Sequence, residues 1–345
     1  MRPRATIADV AAAAGVSLST ASVALNGRPG VSEATRERIR QVARDLEYSP
    51  SLRARSLVTK RAYSIGFVVQ SPATVMSADP FFGSFIAGIQ VAISAAGYVM
   101  VLLVSPSLSQ TEDLYRELAQ SRRVDGVLID QLRVNDRRLE LVRELGLPAV
   151  AIAPSSVTLP LPMAHQSAGG AIVRLVRRLL HLGHRDIAHV AGPPDYVHSI
   201  ERRDAWESTL RQAGLTPGPL IQGGFTMSAG QLAAEELLAL QHLPTAVVCA
   251  NDLAAIGLIA GLQAAGIDVP GRVSVTGFDG IELGAYTTPK LTTVQATPDQ
   301  VGRIAASMLL ELIDQPDRQP WAVEVPLGPM IPGASVAPPG NGSDL

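Results

Sequence analysis

A single cysteine, Cys249, stands in 345 residues. A lone thiol forms no intramolecular disulfide, and its place in the apolar run Ala246 to Ala250 reads as a small buried residue. No run of 18 apolar residues occurs, so no membrane span is expected. Catalytic signatures are missing too: there is no GxSxG elbow, no phosphate loop and no HExxH. His181, His184 and His189 lie close together, but HLGH sits where a helix should end and a strand begin. No catalytic residue, metal or cofactor is expected, and a reducing cytoplasm, near the nucleoid, is the simplest setting.

Charge is unevenly spread. Residues 1–61 hold eleven Arg and Lys against five Asp and Glu, a balance of +6. The whole chain is −2, which leaves −8 for the remainder. A basic head on an acidic body fits a polyanion bound through the head alone.

The stretch Thr6 to Asn26 reads as two short helices joined by a tight turn. Thr6 is a good N-cap with Asp9 three residues on, close to a capping box. Ile7, Val10, Ala11 and Ala14 form one apolar stripe. Gly15 suits the sharp turn, and Ser17 caps a second helix whose apolar side is Ala21, Ala24 and Leu25. Alanines let two steeply crossing helices touch. The pattern predicts a helix-turn-helix whose second helix lies in a DNA major groove. A signal peptide is a weaker reading, because Asp9 interrupts the alanine run. A third helix follows from Glu33, capped by Ser32, with Ile39, Val42, Ala43 and Leu46 inward.

With TIADVAAAAGVS, LNGRPGVSEATRERI, YSP and ARSL on the page, the chain resembles the LacI/GalR (lactose/galactose repressor) family of bacterial transcription regulators from about Thr6 to Pro332. The resemblance implies a helix-turn-helix head over 1–49 and a hinge helix over 50–62 that orders on DNA. Ala54 and Leu57 of the hinge would meet the minor groove, Leu57 as an apolar wedge that kinks the duplex. Thr6, Ser17, Thr20, Ser22 and Asn26 match phosphate contacts, which position without reading sequence. Leu18, Ser19 and Val23 are left to face base edges. The family commonly carries a guanine-reading Arg where Val23 stands, so a different operator is expected.

From Ser64 onward, continuous apolar strands alternate with helices, which predicts parallel sheets covered on both faces. The strands are too many for one compact sheet, and two lobes fit better. The resemblance implies an α/β, two-lobe, periplasmic-binding-protein-like domain over 63–332. Its lobes would be about 63–160 plus 292–322, and about 161–290 plus 323–332. Crossings are expected near 157–163, 287–293 and 322–328, with a disordered tail over 333–345.

Ligands in open α/β lobes bind outside the carboxyl ends of strands. Asn251 follows AVVCA and Asp279 follows VSVTGF; both match effector positions of the family, as do Arg202 and Phe225. Phe81 or Phe82 of DPFF is expected to close the other side. A guanidinium, a carboxylate, an amide and an aromatic face together suit a polyhydroxylated ligand. Helix capping remains an alternative for Asn251 and Asp279, a surface ion pair for Arg202, and core packing for Phe225. Family members often carry an acidic pair where His165-Gln166-Ser167-Ala168 stands, so sugar identity does not carry over.

These features predict a homodimeric repressor that binds a pseudo-palindromic double-stranded DNA operator under control of a small-molecule effector, a carbohydrate, with no membrane partner. The competing reading is a ligand-binding protein whose head is vestigial or corepressor-dependent.

Overall fold

The structure is a computed structural model that describes residues 5–25, 29–48, 56, 59–70 and 79–340. The chain divides into two compact units, Met1–Ala62 and Tyr63–Leu345. Most of the expected hinge, including Ala54 and Leu57, lies outside the described residues, as does Asn26.

The first unit contains α1 (Ile7–Ala13), α2 (Leu18–Leu25) and α3 (Glu33–Asp45). The Thr6 hydroxyl accepts from the Asp9 N–H at 3.3 Å, while the Asp9 carboxylate accepts from the Thr6 N–H at 2.8 Å, a complete capping box. Gly15 turns the chain at φ +63°, a left-handed conformation that a Cβ resists. Ser17 accepts from the Thr20 N–H at 3.1 Å and so caps α2. Helices α1 and α2 meet at 105°. Ala21 and Ala24 are fully buried at the contacts, with Val10, Ala14, Ile39 and Ala43 completing the core. Leu46 was expected to face inward, but it is 37% exposed at the end of α3. Tyr48 packs on the core there instead, its N–H bonded to the Ala43 carbonyl. Arg36 donates from α3 to the Ala24 carbonyl at the end of α2.

The second unit holds two parallel sheets. The first, in the order β11-β5-β4-β3-β1-β2, joins β1 (Ser64–Gln70), β2 (Val99–Ser105), β3 (Gly126–Ile129), β4 (Ala149–Ile152), β5 (Met163–His165) and β11 (Ala322–Glu324). Its core takes in α4 (Pro80–Ala95) and α11 (Pro298–Asp314) in one cluster and α5 (Leu108–Gln120) and α6 (Arg138–Glu144) in another. The second sheet, β7-β6-β8-β9, joins β6 (Ile187–Ala191), β7 (Leu220–Gln222), β8 (Ala246–Cys249) and β9 (Ser274–Thr276). Around it lie α7 (Ala168–His181), α8 (Val197–Gln212), α9 (Met227–Leu238) and α10 (Asp252–Ala264). A short pair, β10 (Thr293–Val294) and β12 (Met330–Ile331), runs antiparallel beside it.

These short strands move the lobe crossings. Strand β5 belongs to the first sheet, so the first crossing follows His165 rather than lying at 157–163. The Thr276–Thr292 bridge and the β10–β12 pair keep the chain on the second lobe through Val294, past the expected 287–293. Strands of two or three residues carry no readable period, which is why sequence reasoning passed over them. Gln166, Thr297 and Pro326 knot the three crossings together. The Gln166 amide donates to the Thr297 hydroxyl at 2.7 Å and to the Pro326 carbonyl at 3.1 Å, and Thr297 donates to that carbonyl at 2.9 Å.

The tail expectation is also corrected for 333–340. Ser335 is fully buried; its carbonyl accepts from the Val275 N–H and its hydroxyl donates to the Val275 carbonyl at 2.6 Å. The segment satisfies the open edge of β9, a gain that composition does not reveal. His184 contacts the Ala337 carbonyl at 2.8 Å and the Thr245 hydroxyl at 3.0 Å, and His189 contacts the Val248 carbonyl at 2.7 Å. Among the described residues no three His, Cys, Asp or Glu side chains group as a metal site. Nor is any single described helix long and apolar enough to cross a membrane; α1 and α2 pass only as a sharply bent pair.

Candidate ligand cleft and DNA-facing helix

A cleft lies between the two lobes, at the carboxyl ends of β3 and β4 on one side and of β8 and β9 on the other. Arg202 projects from α8 and is only 8% exposed. Its guanidinium donates to the Ala250 carbonyl at 2.7 Å and lies 4.4 Å from the Phe278 ring centre and 5.7 Å from that of Phe225. Burial pulls its pKa down, and Asp279 is the strongest opposing influence. Burial in turn pushes the Asp279 carboxyl well up, against the attraction of Arg202. Asp279 sits at φ +122°, held by backbone bonds to Val294 and Ala296 that aim its side chain into the cleft rather than at a cap.

Asn251 both lines the cleft and caps a helix. Its Oδ1 caps α10 through the Ala254 N–H at 2.9 Å and its Nδ2 donates to the Phe225 carbonyl at 3.1 Å. Its neighbour Asp252 is fully buried and positions the Asp279 loop. It accepts from the Ile281 N–H at 2.8 Å and from the Thr293 hydroxyl at 2.6 Å, and burial raises its pKa to about 6.

Phe225 lines the cleft and stacks on His198 at 5.3 Å, with ring planes 22° apart. Gly192 makes room for it, since a Cβ there would collide with the Phe225 ring and the Ser199 hydroxyl. Phe81 lines the opposite wall and stacks on Phe85 at 5.7 Å. Phe82 does not reach the cleft; it is 2% exposed in the first-lobe core, because the next position on α4 faces the sheet.

Sequence reasoning missed Asp79, Asp130, His198 and Glu201, all of which line the cleft. Burial raises the carboxyls of Asp79, Asp130 and Glu201, that of Asp130 to about 6. Burial also lowers His198 to about 3, so its ring is neutral. The signal available in the sequence was position, since Asp130 directly follows β3 just as Asn251 closely follows β8.

The rim of the cleft is clasped. Arg133 of the first lobe pairs with Asp195, contacts the Tyr196 hydroxyl at 3.2 Å and lies 4.7 Å from its ring centre. Backbone bonds Val134 N–H to Asp195 O and Val197 N–H to Leu132 O, each 2.9 Å, flank it. The loop carrying Asp130 and Arg133 is anchored from below by buried Arg138. That side chain pairs with Asp136 at 2.6 Å and donates to the carbonyls of Asp130 and Gln131.

In the head, Leu18 is 54% exposed and Ser19 is exposed, while Ser22 and Val23 lie half-buried on the same side of α2. Thr6, Ser17 and Thr20 flank that face. Ser17 is 2.8 Å from the Ser19 hydroxyl and 2.7 Å from that of Thr20.

Residues 6–51 match the family model for bacterial regulatory proteins of the lacI family, and residues 176–336 match that for a periplasmic binding protein-like domain. The HTH-type transcriptional repressor PurR of Vibrio atlanticus (strain LGP32) is 32% identical over 326 residues, 93% of this chain and 96% of that relative. The HTH-type transcriptional regulator CelR of Thermobifida fusca is 33% identical over 328 residues, 92% and 95% of the two chains. A solved complex of transcriptional regulator CelR with cellobiose superposes with TM-score 0.75 at 30% identity, covering 96% of this chain and 100% of that one. A lac repressor dimer bound to operator and the anti-inducer ONPF superposes with TM-score 0.82 at 24% identity, covering 97% and 100%, a likeness of fold. The chain belongs to the lacI family of bacterial transcriptional regulators, with a helix-turn-helix DNA-binding head and a periplasmic-binding-protein-like body.

Proposed function

We propose that the protein is a homodimeric repressor that reads a pseudo-palindromic operator and is controlled by a small carbohydrate held between its lobes. The observation that carries this reading is the convergence of Arg202, Asp279 and Phe225 on one cleft. A forked donor, a carboxylate acceptor and an aromatic face complement hydroxyl groups and C–H surface. The solved complex of the regulator CelR with cellobiose supports the same class. On DNA, Leu18, Ser19 and Val23 meet base edges while Thr6, Ser17, Thr20, Ser22 and Asn26 hold phosphates. A hinge over 50–62 brings Ala54 and Leu57 to the minor groove. Ligand-driven movement of the lobes alters hinge order, and a coupling of about 1–3 kcal/mol changes operator occupancy 5–150-fold. Such a protein works in the cytoplasm.

The test is selection of bound DNA from a random duplex pool, followed by titration of the recovered site with sugars. A palindrome whose affinity changes with one sugar, and an Arg202→Ala variant that binds the site but ignores the sugar, is the expected result. Failure to recover any preferred sequence, with or without pooled sugars, overturns the proposal and favours a vestigial head.

A further inference from the structure

The cleft is lined by one permanent cation and four carboxylates: Arg202 against Asp79, Asp130, Glu201 and Asp279. Arg202 is already engaged by the Ala250 carbonyl and by its attraction to Asp279. Among the described residues, the first-lobe wall has no cation of its own lining the cleft. Asp130 is the more confined of the two carboxylates on that wall, 9% exposed, and its Oδ2 accepts no hydrogen bond. The guanidinium nearest in effect, Arg138, spends its N–H groups on Asp136 and on the backbone carbonyls of Asp130 and Gln131. Asp79, from the other loop of the same lobe, adds negative potential at Asp130.

A buried acceptor without a donor is costly. The Gln131 backbone bonds the carboxyl but leaves Oδ2 without a donor, and Phe81, Leu132 and Ile152 of the same lobe line the cleft with apolar surface. The Arg138–Asp136 anchor fixes the loop, so the carboxylate stays confined. On the opposite wall, His198 is neutral and contributes no charge. An anionic ligand therefore meets Arg202 only by also facing several carboxylates.

We infer that Asp130 is a specificity-determining residue that receives a hydrogen-bond donor of the ligand, a hydroxyl or an amine, and that the cleft rejects ligands bearing phosphate or carboxylate. This rests on the reading of the cleft as the effector site, and it narrows the ligand to neutral or amine-bearing donor-rich compounds.

Calorimetric titration with matched probes tests it: glucose, glucosamine, glucose 6-phosphate and glucuronate; ribose and ribose 5-phosphate; cellobiose. Every ligand that binds should be neutral or amine-bearing, and its phosphate or carboxylate counterpart should bind at least tenfold more weakly. Asp130→Asn should weaken the best ligand about tenfold or more. An anionic probe that binds as tightly as its neutral counterpart overturns the inference, as does an Asp130→Asn variant within twofold of wild type.

A measurement without ligand decides the Asp130 claim even if no probe binds. Folding raises the Asp130 pKa, so the wild type loses stability as pH climbs from about 4 to about 6, and an amide does not. Melting temperatures of Asp130→Asn and wild type should coincide near pH 4, with the variant roughly 2–4 °C higher above pH 6. A variant that melts lower throughout means the carboxylate has structural partners, and the inference falls. Donor-selective binding with no effect on operator affinity would sink the regulator reading and leave this one standing. A phosphate ester that releases or tightens operator binding would do the reverse.

Discussion

The outer face of α2 and the cleft between the lobes have opposite chemistry. The outer side of α2 presents Leu18, Ser19 and Val23, uncharged and in contact with water. Nothing there needs compensation, because solvent satisfies whatever the helix exposes. The cleft concentrates charged groups where water is scarce, and each one needs a partner or a shifted pKa. Arg202 has the Ala250 carbonyl and Asp279, Arg138 has Asp136, and Asp130 has a backbone bond from Gln131 but no donor on its Oδ2, and burial raises its proton affinity. The lesson is that the head rests on one small apolar core, whereas the body's larger apolar cores also hold buried charges in place.

That contrast can be broken at either end. Arg138→Met should have the largest effect. It leaves buried Asp136 without its partner and unpins the Asp130 loop, a loss of about 3–5 kcal/mol. Calorimetry should show the body's melting transition falling while the head's stays where it was. Next comes Ile39→Ala, which empties the centre of the three-helix core for about 2–5 kcal/mol. In so small a unit this should abolish operator binding, and sugar binding by the body should remain at the wild-type level. Equal damage to both functions by either variant would mean the two units do not fold independently.

The finest distinction is in the sign of a pH effect. Asp9 lies exposed in its capping box, and its bonds to Thr6 hold its pKa below the usual value. Its contribution to the head is present above about pH 4 and is lost as pH falls through the lowered pKa. An Asp9→Asn head should therefore melt below wild type at neutral pH and converge with it in acid. Asp130→Asn should converge in acid as well, but from the opposite side. Chemical-shift or circular-dichroism melts of the two variants at pH 3 to 7 check both signs.

Much of the head was legible because its determinants are local. Thr6 and Asp9 are three residues apart, Gly15 needs no neighbour to favour a left-handed turn, and the alanine spacing follows the helical period. The alternation of apolar strands and helices in the body was equally legible, as were Arg202, Phe225, Asn251 and Asp279 beside their strands and helices. Phe81 and Phe82 could not be told apart in advance, since adjacent helix positions differ only by which way the helix is turned. The first two crossings were misjudged because β5, β10 and β12 exist through pairing with distant partners rather than through any pattern of their own.

By itself the sequence determined the longer elements, the two-unit plan, the basic head and the groups capable of binding. Each depends on neighbours within about one helical turn or one strand. Only the tertiary structure decided which of those groups face a common space, that the Oδ2 of Asp130 is buried without a donor, that Arg133 reaches Asp195 across the cleft, and that residues 333–340 close the edge of β9. Burial and charge pairing act between residues far apart in the chain, and no local pattern encodes the distance between them.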